Sequence, residues 1–204
     1  MQAAYARNMQ YSSLGISLGL LLTGCGGGDS AKPDAASKIP DAPPAGGLTL
    51  TSSAFAEGGA IPIASTCKDP ANVNSSPQLS WTGAPSGTMS FAVVLTDLSL
   101  TPPLVHWVIY DIPASATGLP ANVEKAYAPA NVAGTHQTAS YDNQTRGYLG
   151  PCPPAKHTYQ FEVYALLAAT LPGTTMQTTR NEAVPTITAL EIAHATLKGT
   201  FTPP

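Results

Sequence analysis

Charge is what this chain has least of. Only 10% of its 204 residues are Asp, Glu, Lys or Arg, against about 25% in an ordinary globular domain. The basic residues form no cluster and the formal net charge is −3, so the electrostatic footprint of a nucleic-acid-binding protein is missing. No serine sits in a Gly-x-Ser-x-Gly setting and no three-ligand metal motif occurs, so neither a hydrolase nor a metal centre is expected. Nothing in the chain calls for a cofactor. Helical periodicity is scarce. What is plentiful is punctuation: 20 Pro and 18 Gly, with Thr, Ser and Ala filling the surface. That composition suits a loop-rich, all-β protein, long enough for one domain with a real core and a tail.

The first 24 residues look like an address. Arg7 is the only charge ahead of an apolar run from Leu14 to Leu22, which is too short to span a bilayer comfortably but fits a signal-peptide core. Leu22-Thr23-Gly24-Cys25 then resembles the lipobox of bacterial lipoproteins, in which the cysteine is diacylated and becomes the new N-terminus. An ordinary secretory signal with an incidental Cys25 is the alternative. Residues 25–47 carry Ile39 as their one sizeable apolar side chain. Such a segment cannot repay its ordering entropy and reads as a flexible spacer. The expected address is the bacterial cell envelope, with the domain on the periplasmic or extracellular face. With Cys25 acylated, Cys67 and Cys152 are the two thiols left, a candidate disulfide in an oxidising compartment.

The folded domain is expected over residues 48–204. Met89–Thr96, Val105–Ile112 and Tyr159–Leu166 are strong strand candidates. Shorter strands are expected at Leu48–Ser52, Gln78–Trp81, Val123–Tyr127 and Leu197–Phe201. One helix is expected from Asn181 or Pro185 to about Thr196, on the spacing of Ile187, Leu190, Ala193 and Leu197. Together these predict a mainly β protein, an antiparallel β-sandwich of two sheets with a C-terminal helix.

The most informative stretch is Gly147-Tyr148-Leu149-Gly150-Pro151-Cys152-Pro153-Pro154-Ala155-Lys156-His157-Thr158-Tyr159. Its glycines and prolines fix a rigid loop, and an extended chain beyond Pro154 points His157 and Tyr159 to one strand face. Asp97 closes one apolar strand and His106 opens the next, so a simple connection brings them near each other. Two imidazoles, a phenol and loop N–H groups are converging donors for a small anion. Asp97, which only accepts when ionised, would hold a histidine in one tautomer. Trp107 and Trp81 read as packing, His136 as a solvent-facing loop residue, and His194 with Glu191 as a helical i, i+3 pair rather than a metal site.

The ordered set Phe55-Ala-Glu57-Gly58-Gly59, Ile61-Pro62, Cys67, Asn74, Ser76-Pro77, Leu79-Ser-Trp81, Asp97, His106-Trp107, Asp111-Ile112-Pro113, Gly147–Tyr159, Tyr164-Ala165-Leu166 and Gly199-Thr200-Phe201 closely resembles the phosphatidylethanolamine-binding proteins, in their bacterial, Raf-kinase-inhibitor-like branch. The resemblance covers residues 48–202. It implies two antiparallel sheets and an anion pocket at one end, with Asp97, His106, Gly150, His157 and Tyr159 as ligand-binding residues and Trp107, Tyr148 and Pro151 as pocket wall. It also implies a phosphate-like small anion or phospholipid head group as ligand; the membrane is the other expected partner, through the lipid anchor that the Cys25 pattern suggests. Two departures stand out. Asp97-Leu98-Ser99 replaces the usual Asp-Pro-Asp, and Thr158 replaces a common Arg. The other function class is a protein-interaction module, such as a protease inhibitor, presenting the Ala114–Tyr141 segment to an unidentified partner.

Overall fold

The computed structural model describes residues 47–204. The expected signal segment, Cys25 and nearly all of the spacer lie outside those residues.

Two antiparallel sheets form the domain. The smaller has the order β1 (Thr49–Thr51), β2 (Leu79–Thr82), β5 (Gly118–Leu119). The larger has the order β6 (His136–Gln137), β4 (Leu104–Pro113), β3 (Ser90–Asp97), β7 (His157–Leu166), β8 (Glu191–Phe201), and α1 (Arg180–Leu190) precedes its last strand. β3 shows why the larger sheet is buried on both faces. Its Phe91, Val93 and Leu95 join the inter-sheet core with Leu50, Trp81 and Trp107. Its Ala92 and Val94 face the other way, onto Ala183 and Ile187 of α1. A near-continuous apolar run is what a central strand between two layers requires.

Bulges break the alternation in β4 twice. The register with β3 slips between Leu95 and Thr96, leaving His106 without a Cα partner, and slips again opposite Ala92, where Asp111 takes φ 60°. The first slip matters for function. Val105 packs on the α1 side and Trp107 in the inter-sheet core, although strict alternation would put them on one face. The extra residue turns His106 toward the inter-sheet end of the sandwich.

Two expected elements are corrected. The helix does not reach Thr196: it stops at Leu190, and Glu191 is already extended. The spacing of Ile187, Leu190, Ala193 and Leu197 is matched by an equally good two-residue period through Ala195, Leu197, Gly199 and Phe201, all buried. The strand wins because β7 offers it a full-length edge, with register pairs from His157↔Phe201 to Leu166↔Glu191. His194 and Glu191 are therefore strand residues, although their side chains still hydrogen-bond. Val123–Tyr127 is not a strand either. The Glu124 N–H donates to Asn131 Oδ1, and the Glu124 and Ala126 carbonyls accept from Gln137 Nε2, so side chains satisfy the backbone that a neighbouring strand would have paired.

Candidate anion-binding site

The ends of β3, β4 and β7 meet at one edge of the larger sheet, where Asp97 pairs in register with both Leu104 and Tyr159. A cavity of about 140 Å³ opens there, lined by Asp97, His106, Tyr141, His157 and Tyr159, with Leu100, Leu104 and Cys152-Pro153-Pro154 as its apolar rim. That is well below the roughly 300–1,000 Å³ of drug-sized ligand sites. It suits one small polar group.

Asp97 is the organising side chain. Its carboxylate is almost fully buried, and Oδ2 accepts a 2.7 Å hydrogen bond from His157 Nδ1–H. Oδ1 accepts the Ser99 N–H at 2.9 Å. Because a carboxylate only accepts, His157 carries its Nδ1 proton toward Asp97 and leaves Nε2 free for a ligand. His106 is fixed in the same tautomer by a different partner, donating Nδ1–H to the Leu149 carbonyl at 3.0 Å. Tyr141 packs against its ring at a tilt, 4.3 Å between centroids, and Tyr159 meets it edge-on at 5.4 Å. Burial holds His106 below the usual histidine pKa, against the opposing pull of the Leu149 carbonyl and Asp97.

Tyr159 is the unsatisfied member. Its hydroxyl is buried and makes no well-formed hydrogen bond among the described residues, although the Asp97 carboxylate lies close enough to act on it. Burial first, and the Asp97 charge second, push its phenol pKa well upward, so it keeps its proton and stays a donor. A buried polar group without a partner costs about 1–3 kcal/mol. A ligand oxygen accepting from it would recover that cost.

The structure therefore gathers Asp97, His106, His157 and Tyr159, but leaves four other expected residues off the cavity lining. Gly150 is buried behind it, its N–H spent on Asn74 Oδ1 at 3.0 Å. Trp107 lies in the inter-sheet core, bonded to Gln137 Oε1 at 2.7 Å and edge-on to Tyr148. Tyr148 is fully buried and donates to the Ser65 carbonyl at 2.8 Å. Pro151 is buried too, its carbonyl accepting the Cys67 N–H. These four hold the wall from behind. Cys67 and Cys152 are joined by a disulfide, Sγ–Sγ 2.04 Å, which puts Cys152 on the cavity rim.

Pro153 and Pro154 of the rigid loop join the lining, and Tyr141, Leu100 and Leu104 complete it without having been singled out from the sequence. For Tyr141 the only available signal was an aromatic residue in a turn. His136 is not a solvent-facing loop histidine. It belongs to β6, donates Nδ1–H to Asp111 Oδ2 at 2.8 Å and lies beside the Tyr127 ring. Among the described residues, no group of three or more His, Cys, Asp or Glu could hold a metal.

The fold has known counterparts. The family model for phosphatidylethanolamine-binding protein matches residues 51–202. The chain belongs to the phosphatidylethanolamine-binding protein family. A UPF0098 protein of Methanothermobacter thermautotrophicus is 40% identical over 123 residues, covering 58% of this chain and 76% of its own. The protein named "Putative lipoprotein LppC" of Mycobacterium tuberculosis is 32% identical over 204 residues, 93% of this chain and 94% of its own. The crystal structure of Escherichia coli YbcL, described as a member of the mammalian PEBP family, superposes with a TM-score of 0.70 at 27% identity, over 78% of this chain and all of that one.

On this phosphatidylethanolamine-binding-protein scaffold, Ser99 helps to fix the turn after β3. Its hydroxyl accepts the Thr158 N–H at 2.9 Å, and the Leu98 N–H donates to the Thr158 carbonyl, so the turn after β3 is clamped to the start of β7.

The depressed His106 predicts a pH signature. At neutral pH both folded and unfolded chains hold this imidazole neutral. As pH falls through the ordinary value of 6.5, the unfolded chain takes a proton that the folded chain still refuses, so stability falls. His106→Asn should lose less melting temperature than the wild type between pH 7.5 and 5. Equal losses in the two proteins would show that burial of this imidazole has no such cost.

Proposed function

We propose that this family member is a membrane-tethered, extracytoplasmic binding protein whose cavity takes a phosphate-bearing small molecule or a phospholipid head group. The observation that carries the reading is the unpartnered Tyr159 hydroxyl, buried beside two imidazoles whose Nδ1 atoms are already committed. The Tyr159 phenol donates to one ligand oxygen, and an oxyanion seated against the imidazoles would draw a proton onto Nε2 in spite of the burial that otherwise keeps His106 neutral, turning it into a second donor. The Leu100, Leu104 and proline rim, with Leu98 exposed beside it, favours a phosphate ester that continues into an apolar or uncharged group. The missing second aspartate removes one counter-charge for an ethanolamine ammonium, so phosphate and not the amine is the recognised end. Binding rather than catalysis is in keeping with the family. Tethering rests on the Leu22–Cys25 pattern and on a relative named as a lipoprotein. The Ala114–Tyr141 segment is tied to β4, with Gln137 Oε1 accepting from Trp107 Nε1 and the Ser140 hydroxyl donating to the His106 carbonyl, which disfavours it as a protruding inhibitory loop.

The test is thermal unfolding with inorganic phosphate and with phosphoethanolamine, at matched ionic strength. A ligand at a hundred times its dissociation constant adds about 2.7 kcal/mol, several degrees for a domain of this size. Phosphoethanolamine should match phosphate without exceeding it greatly, and His157→Gln should abolish most of the response to both. No response at millimolar ligand, or an unchanged one in His157→Gln, would sink the proposal. The tether has its own readout: Cys25→Ser should move the protein from the membrane fraction to the soluble one.

A further inference from the structure

The chain has three arginines, and both of those in the described region, Arg146 and Arg180, line one second cavity of about 340 Å³. Its other walls are uncharged: Ala139, Asn143, Gln177, Thr178 and Thr179. In a chain this poor in charge, two cations facing one space without a carboxylate among its walls is a specific arrangement.

The nearby acids are already engaged. The Glu182 carboxylate accepts from the Thr179 N–H and hydroxyl at the start of α1. The Asp142 carboxylate accepts from the Gln144 and Thr145 N–H groups and the Thr145 hydroxyl, within its own turn. Neither arginine makes an ion pair with a described residue. Arg180 Nη1 donates to the Ser140 carbonyl at 2.9 Å and Asn143 Oδ1 at 2.8 Å, which fixes its planar fork. Its Nε is buried and has no partner. With Nη1 spent and Nε sealed from solvent, Nη2 is the N–H group of this rigid guanidinium left for an oxyanion in the cavity. Arg146, half-buried across the Ala139 bridge, supplies the second charge with no hydrogen bond of its own among the described residues.

We propose that this cavity is a second anion site, for a sulfate or phosphate ester held between Arg146 and Arg180. It is distinct from the histidine cavity but shares a wall with it. Tyr141 of the same turn packs against His106, while Ser140 and Asn143 hold Arg180. The two sites differ in selectivity for a physical reason. Guanidinium groups stay charged at any working pH, so this one binds sulfate and phosphate alike above pH 7, where the histidine cavity needs imidazole protonation.

The experiment uses the full chain carrying His157→Gln, titrated at pH 8 with sodium sulfate at constant ionic strength and followed by amide NMR. Sulfate should shift the amides of Asn143, Gln177, Thr178 and Arg180. Arg146→Gln should weaken the apparent dissociation constant at least about tenfold, the cost of losing one charged hydrogen-bonding partner, and Arg146→Lys should weaken it less. Because Arg180→Gln also removes two bonds to the turn, Arg146→Gln is the deciding variant. An affinity unchanged within twofold in Arg146→Gln, or shifts confined to the histidine cavity, would overturn the assignment. A sulfate response in wild type that vanishes in His157→Gln would likewise overturn it while leaving the first site standing.

Discussion

Cys67→Ser should lower the unfolding free energy by about 2–5 kcal/mol. The bridge to Cys152 closes 85 residues of sequence, a loop long enough to remove much of the unfolded chain's freedom. It also ties two segments whose other links are few: the Cys67 N–H to the Pro151 carbonyl, Gly150 N–H to Asn74, and the Tyr148 hydroxyl to the Ser65 carbonyl. Those bonds position Leu149, whose carbonyl orients His106, and the Pro153-Pro154 rim. Urea melts of Cys67→Ser, Cys152→Ser and the double variant should therefore coincide with one another and fall well below the oxidised wild type. The phosphate response should weaken alongside. Melts overlaying the wild type would mean that the segment is held by its hydrogen bonds and packing alone.

How much of this was legible beforehand depends on which forces had local signatures. β3 and β4 declare themselves through apolar runs, because burial on both faces leaves a mark in the sequence itself, and β7 through its aromatic and β-branched alternation. The direction of His157 and Tyr159 was legible for the same reason, since strand alternation is a purely local rule. Of β8 only Leu197–Phe201 was legible; Glu191–Thr196 was not, because the helical spacing of Ile187, Leu190, Ala193 and Leu197 competes with the alternation that follows, and only the waiting edge of β7 decides between them. His106 was picked out as a residue while the bulge that aims it stayed hidden, a bulge being a mismatch between two strands. Gly150, Trp107, Tyr148 and Pro151 lie where the sequence suggested, next to the site, yet one layer behind it. Motif proximity gives neighbourhood, and side-chain direction comes only from packing. Arg146 and Arg180 are 34 positions apart and join through a turn and a helix start that no periodicity links.

Gly150→Ala should be the most damaging single methyl group in the chain. A Cβ there would sit 2.0 Å from the Ser65 carbonyl oxygen, 2.7 Å from the Tyr148 hydroxyl and 2.8 Å from Asn74 Oδ1. The first of these is backbone, tied to the short helical turn at Ile63–Ser65, so it cannot rotate aside. Relief requires the 148–152 segment to move outward, which breaks the Gly150–Asn74 and Tyr148–Ser65 hydrogen bonds in the same step. Overpacking and a lost buried hydrogen bond together cost about 3 kcal/mol or more, a fall in melting temperature of about 6–12 °C. Gly47→Ala is the control, since nothing lies within 4 Å of its added methyl, and it should stay within about 0.5 kcal/mol of wild type. The functional consequence travels along the same segment. Leu149 moves with Gly150, and the carbonyl that sets the His106 tautomer leaves its ring, so phosphate binding should fail even at temperatures where Gly150→Ala is still folded. A variant that melts early yet binds phosphate normally would show that the loop behind the cavity carries stability alone. If binding and stability fall together, the glycine is kept free of a side chain because the wall of the site has no room for one.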